Sequence, residues 1–382
     1  MKFRVLTDEM NYGMGMVSRA VPARAIYPSM EGVFIENCDE GLQMTCTNGE
    51  MTIRANIPVT MEEDGYALLP AKLFGEIMRK QPTGEVSVSV DSSLKTVIKA
   101  YNSTMKLMGM ETEDFPEIDE VSSENRVSIP CSVARQAIGR VMFAVSTDES
   151  RNILTGVLME ATDENIVFVG LDGFRLALQR IDNKAGLPES KKGSKISCVV
   201  PGTVMNEISR MLPDDEDKNL EITFTSSRVS FRFDNISVYA TLLAGEFIDY
   251  KKILPASSTT MISVARTQIS DAIDRCSLMA REGKNNLIHL SIKKDAEGSN
   301  DGTLIMTSNA EKGDAHEEIS IGIEGKELDI AFNAKYLTDV VHNVDDETLI
   351  MCFNSNASPC MLKPVEGDKY RFLVLPVRVF NK

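Results

Sequence analysis

Bond-making chemistry needs an acid, a base or a nucleophile held by its neighbours, and this chain is poor in such sets. Its three histidines, His289, His316 and His342, stand apart from any nucleophile or metal-ligand motif. There is no G-x-S-x-G, no phosphate-binding loop and no H-E-x-x-H. Carboxylates crowd into "PDDEDKNLE" and "NVDDE", which read as solvated loops. A hydrolase built on them would be metal-dependent and would need Asp214 or Asp215, but no ligand spacing supports it. The seven cysteines, Cys38, Cys46, Cys131, Cys198, Cys276, Cys352 and Cys360, are scattered without a C-x-x-C pair. That predicts reduced, mostly buried thiols rather than a disulfide framework. No catalytic residue, metal or cofactor is expected.

Recognition chemistry is better represented. In "GLDGFRLALQR", Gly170 to Arg180, the Asp-Gly pair between "NIVFV" and "LAL" predicts a tight hairpin turn. Phe174, Arg175 and Leu176 follow it at once. An aromatic ring, a guanidinium and a leucine can anchor a bound peptide. From this stretch alone, core packing just past a turn explains them as well.

The elements around this turn recur. Leu69-Pro-Ala-Lys-Leu-Phe-Gly-Glu-Ile-Met78, Val200-Pro-Gly-Thr-Val-Met-Asn-Glu-Ile-Ser209 and Phe332-Asn-Ala-Lys-Tyr-Leu-Thr-Asp-Val-Val341 each open on Pro70, Pro201 or Asn333, 131 and 132 residues apart. Each then places apolar residues on one helical face: Leu73, Phe74, Ile77 and Met78; Val204, Met205 and Ile208; Tyr336, Leu337, Val340 and Val341. Phe115-Pro116 and Phe247-Ile248 keep the interval of 132. A second amphipathic helix opens each repeat, and alternating strand patterns lie between and after the helices. Each unit should hold two helices and roughly eight short strands packed as antiparallel sheets, an α+β fold. At the turn, repeat one reads Thr47-Asn-Gly-Glu-Met-Thr52 and repeat three reads Ser308-Asn-Ala-Glu-Lys-Gly313. All keep a hairpin, but only the middle unit follows it with Phe-Arg-Leu. A scaffold requirement would appear in its siblings, so this difference favours a binding site.

The 382 residues suit two or three domains, and 43% hydrophobic with 25% charged residues is ordinary for a globular protein. The 21 methionines read mostly as core filler. A net charge of -15 argues against a protein coated in nucleic acid. No apolar run is long enough to span a membrane, and "MKFRVLTDEM" lacks a signal-peptide core, so a cytoplasmic protein with no membrane partner is expected.

The triplicated unit, with "GLDGFRLAL", "GEFIDYKKILP" and the C-terminal "FLVLPVRVF", resembles the bacterial DNA polymerase III beta subunit family, the sliding clamps, along the whole chain. The resemblance implies three clamp domains, 1-122, 123-252 and 253-382, in a head-to-tail homodimeric ring around double-stranded DNA. The family's groove would fall on Leu154, Leu171, Gly173, Phe174, Arg175 and Leu176 of the middle unit. The linker would add Ile248, Lys252 and Ile253. The third unit would add Tyr336, Ala357, Pro359, Leu373, Leu375, Pro376, Val377 and Arg378. The groove would receive short apolar peptide motifs of the DNA polymerase III alpha subunit and the clamp loader, and of other DNA polymerases and repair proteins. The family often has His at Phe174, Pro at Ile248 and Arg-Arg at Lys251-Lys252. Its tail often stops near Val379, where this chain adds Phe380, Asn381 and Lys382. These differences bear on peptide preference.

Arg24 and Arg151 match family positions that face DNA. Lys72, Arg79, Lys80, Arg135, Arg140, Arg210 and Arg275 are further candidates on the repeat helices, where segments 70–81 and 131–146 each carry +2. Met105 and Leu107 on an edge strand would meet Leu278 and Met279 of another copy. Six helices per chain, packed about 10 Å apart, would leave a hole about 9 Å wide for one chain, 28 Å for two and 47 Å for three. Only the pair fits a duplex roughly 20 Å across with a layer of water. A repeat-built peptide scaffold that never encircles DNA is the alternative, and an open monomer would mark it.

Overall fold

The computed structural model describes residues 1–118, 120–283 and 285–378, so Val379, Phe380, Asn381 and Lys382 lie outside the described residues. Six α-helices occur among these residues: α1 Thr7–Val17, α2 Ala71–Arg79, α3 Cys131–Met142, α4 Gly202–Met211, α5 Arg266–Glu282 and α6 Ala334–His342. Each leaves directly from the end of a strand. Before α2, Pro70 presets φ at -55°. Before α6, the Asn333 side chain accepts hydrogen bonds from the N–H groups of Lys335 and Tyr336. The expected apolar faces form with one exception. Phe74 is fully buried, but its partner Leu73 is 48% exposed.

The chain divides into two compact units. The first comprises Met1–Arg135, Ala185–Gly193 and Glu207–Leu242, and the second Gln136–Lys184, Ser194–Asn206 and the chain from Leu243 onward. All sheets are antiparallel. In the first unit a five-stranded sheet runs Thr60–Glu63, Lys2–Leu6, Glu85–Val90, Lys95–Ala100, Ser103–Met108. An eight-stranded sheet runs Arg126–Pro130, Asn219–Phe224, Arg228–Phe233, Ile236–Thr241, Met51–Ile57, Gly41–Thr47, Gly32–Cys38, Tyr66–Pro70. Period-two patterning builds these layers: Val86, Val88 and Val90 point inward on one strand, and Thr96, Ile98 and Ala100 on the next.

In the second unit one twelve-stranded sheet runs Ile196–Pro201, Gly156–Ala161, Asn165–Leu171, Arg175–Asp182, Tyr370–Val374, Cys360–Lys363, Thr348–Phe353, Thr260–Ala265, Gly313–Gly325, Asp301–Ala310, Leu287–Lys294, Leu328–Asn333. All three expected hairpins are present, the third longer because Ser308 stands opposite Ala315. The return strands of the first two hairpins each bond to the last strand of the following repeat: Thr52 faces Tyr239, and Leu176 faces Leu373.

Candidate peptide-binding groove

The turn before Arg175 is held by its own aspartate. Asp172 Oδ1 accepts hydrogen bonds from the backbone N–H groups of Phe174 at 2.8 Å and Arg175 at 2.9 Å. Gly173 takes φ +94°, where a side chain would be strained, and a Cβ there would stand 2.8 Å from Arg151 Nη1. Arg151 Nη2 donates to the Asp172 carbonyl at 3.2 Å, and Arg151 also pairs with Asp148 at 3.4 Å. Arg151, expected to face DNA, thus braces this turn.

Arg175 is largely covered behind the groove wall. Its side chain is 9% exposed and pairs with Asp172 at 2.9 Å and with Asp339. Its guanidinium carbon lies 4.7 Å from the Tyr336 ring centre and 5.5 Å from that of Phe143. Helix α6 supplies both Asp339 and Tyr336, three residues apart on one face. Phe174 stacks on Tyr336 with ring centres 5.7 Å apart, yet remains 53% exposed.

Leu154, Leu171, Leu176 and Leu373 are buried in one apolar cluster, against which Ile253 and Phe247 pack. The tail is pinned at two points: Leu375 N donates to the Phe174 carbonyl, and Val377 N to the Ala331 carbonyl, both at 2.8 Å. Ile248 and Leu375 remain exposed. Lys252 pairs with Asp249 at 3.2 Å in solvent. Ala357 and Pro359 lie in the loop before Cys360–Lys363, the strand that pairs with the tail strand Tyr370–Val374. Pro376 is half-buried and Arg378 exposed. An apolar floor, an aromatic step and open main chain can hold apolar side chains of an extended segment. Asp339 and Phe143 were missed from the sequence, although the spacing of Asp339 from Tyr336 puts the two on one helical face.

Several expected cations are already committed. Arg275 binds Glu317 through two contacts of 2.7 and 2.6 Å, Arg140 pairs with Asp345, and Arg210 pairs with Glu207 at 3.4 Å. Glu317 in turn has its carboxyl held below the usual range, first by the hydrogen bond from Arg275. Arg24, Lys72, Arg79, Lys80 and Arg135 are exposed and have no ion-pair partner among the described residues.

On the edge strand Ser103–Met108, Met105 is 39% exposed. Leu107, expected beside it at a joint, is only 7% exposed and packs inside its own unit. Met108 is the other exposed apolar side chain there. Leu278 is exposed and Met279 half-buried on α5. A Cβ on Gly313 would lie 3.6 Å from Met279 Sδ, so Met279 sits beside the start of the strand Gly313–Gly325.

Three repeats of helix-backed antiparallel sheet with a hairpin groove define a clamp-type scaffold. Family models of the DNA polymerase III beta subunit match in order: the N-terminal domain at residues 1–119, the central domain at 128–249 and the C-terminal domain at 251–378. The chain belongs to the DNA polymerase III beta subunit family, and with it to the non-catalytic DNA sliding clamps. The beta sliding clamp of Bacillus subtilis is 31% identical over 100% of both chains, and that of Staphylococcus epidermidis 28% over 100% of both. The solved sliding clamp from Bacillus subtilis superposes with a TM-score of 0.93 at 30% identity, covering 100% of each chain. The beta subunit from DNA polymerase of Streptococcus pyogenes gives 0.91 at 25%, covering 99% of this chain and 100% of that one. No helix among the described residues is long and apolar enough to cross a membrane.

Proposed function

We propose that two copies close head to tail around duplex DNA and that the Phe174 groove tethers partners to the ring. The carrying observation is a pair of open strand edges. Twice within the chain, a hairpin return strand bonds to the last strand of the next repeat. The third return strand, Gly313–Gly325, meets Thr260–Ala265 only from Gly322 to Gly325. The first repeat's last strand, Ser103–Met108, bonds only to Lys95–Ala100 among the described residues. The same junction between copies would pair these two edges, and a closed ring would leave neither exposed. Charge supports the match: Asp314, Glu317 and Glu318 lie on one strand and Lys106 on the other. Met105 and Met108 would meet Leu278 and Met279 there, and the Arg275–Glu317 pair belongs to this joint rather than to the DNA surface.

On this reading the clamp domains are 1-122, 123-252 and 253-382. Arg24, Lys72, Arg79, Lys80 and Arg135 make weak, sequence-independent contacts with the duplex. The groove takes short apolar motifs from the DNA polymerase III alpha subunit, the clamp loader, and other polymerases and repair proteins, in the cytoplasm. A particle image of the purified protein tests the assembly. Two-chain rings support it, and open monomers would favour the peptide scaffold that never encircles DNA.

A further inference from the structure

The repeats invite one comparison outside the groove. Phe34, Thr45 and Arg54 stand opposite one another across three neighbouring strands, and Leu158, Val169 and Leu178 do the same in the next repeat. In the middle repeat this row is covered. It belongs to a cluster against which Leu243, Phe247 and Leu254 pack. Beside it, the Tyr250 hydroxyl donates to Glu160 at 2.9 Å, and Lys195 and Lys251 pair with the same carboxylate. That repeat closes the row with an apolar, aromatic and cationic segment of its own linker.

In the first repeat the row is polar at Thr45 and Arg54, the linker reaches it through Phe115 and Ile118, and a cleft of about 520 Å³ lined by both row and linker remains open. One wall is a run of stacked rings, Tyr66 on Phe34 and Phe34 on Phe115, with centres 6.0 and 5.2 Å apart. Arg54 forms part of the lining. Its Nη2 donates to the Ile118 carbonyl at 3.3 Å, its guanidinium lies 5.3 Å from the Tyr239 ring centre, and its buried Nε has no partner. Glu36 is the counterpart of Glu160 but has no ion-pair partner among the described residues. Glu113 and Glu117 also line the cleft.

We propose that this cleft is a second peptide-binding site, which takes a short basic–aromatic segment of the kind the middle repeat folds over its own counterpart. A lysine of the segment meets Glu36 and the neighbouring carboxylates. A ring or leucine extends the aromatic wall.

The probe is a fluorescein-labelled synthetic peptide, Tyr-Lys-Lys-Ile-Leu, titrated against the full chain by anisotropy. Saturable binding is expected, weakened at least about tenfold by Glu36→Lys and by the double change Thr45→Val with Arg54→Leu. Glu36→Gln gives a milder loss in the same direction, and unfolding midpoints establish that each variant is folded. Phe174→Ala leaves binding unchanged. Hydrogen exchange slows across residues 112–118 when peptide is added. No saturable binding up to about 1 mM, a weak affinity limit, overturns the proposal. So does binding that ignores Glu36→Lys, or binding that Phe174→Ala abolishes.

Discussion

The Arg175 guanidinium carbon stands 4.7 Å from the centre of the Tyr336 ring, with the carboxylates of Asp172 and Asp339 paired to the same group. One largely covered cation therefore holds the hairpin turn, helix α6 and the ring on which Phe174 stacks. Arg175 shapes the groove from below. Truncating one partner of a desolvated charge pair costs about 2–5 kcal/mol. Arg175→Ala should lower the unfolding midpoint and weaken an apolar polymerase peptide at least about tenfold by fluorescence anisotropy. Arg175→Lys should restore little, because a point charge lacks the planar fork that spans two carboxylates. Unchanged peptide affinity in both variants would return this residue to core packing.

Phe174 should separate binding from stability. Its ring is more than half exposed and, among the described residues, stacks on Tyr336. Phe174→Ala should change folding free energy by no more than about 0.5 kcal/mol. It should weaken the peptide by about 1.4 kcal/mol, or tenfold, because exposed aromatic anchors dominate such sites. Calorimetry and a peptide titration on one sample read both quantities.

The proposed joint should break without unfolding its parts. Leu278 is 57% exposed on α5, and Met279 lies beside the open strand. Changing both to Glu places two charges in an apolar contact facing Met105. Sedimentation should show folded monomers where the unaltered chain gives dimers, while binding at the Phe174 groove persists. Intact dimers would contradict the joint.

Thiol chemistry gives an independent check on packing. Six of the seven cysteines are buried and Cys38 is half-buried. Burial pushes Cys198 up to about 12 and Cys131 up to about 11. These thiols stay protonated at pH 8, and only the thiolate attacks a disulfide reagent. One thiol should react quickly with Ellman's reagent in the native protein, and the rest only on unfolding. Several fast thiols at pH 8 would contradict the buried assignment.

The repeat was legible because its markers are local: Pro70, Pro201 and Asn333 start helices, and Asn48-Gly49 and Asp172-Gly173 start the first two hairpins. The groove's apolar floor followed from the same motifs. What stayed hidden depends on contacts between distant positions. Asp339 and Phe143 join Arg175 only once the twelve-stranded sheet brings them together. The partners of Arg140 and Arg275, Asp345 and Glu317, lie 205 and 42 residues away. Alternation assigns Met105 and Leu107 to one face of their strand, and packing around its end buries one and exposes the other. Leu73 fits its helical face by spacing, yet that edge of α2 is left uncovered.

The central claim is that DNA is held by topology. Free cations on the helices are few and the net charge is -15, so direct affinity should be poor and should fall steeply with salt. The most direct test loads the protein onto nicked circular DNA with a clamp loader, applies a high-salt wash and then cuts the circle. A ring stays through the wash and leaves promptly once the DNA is linear. Equal retention on circular and linear DNA would contradict the account.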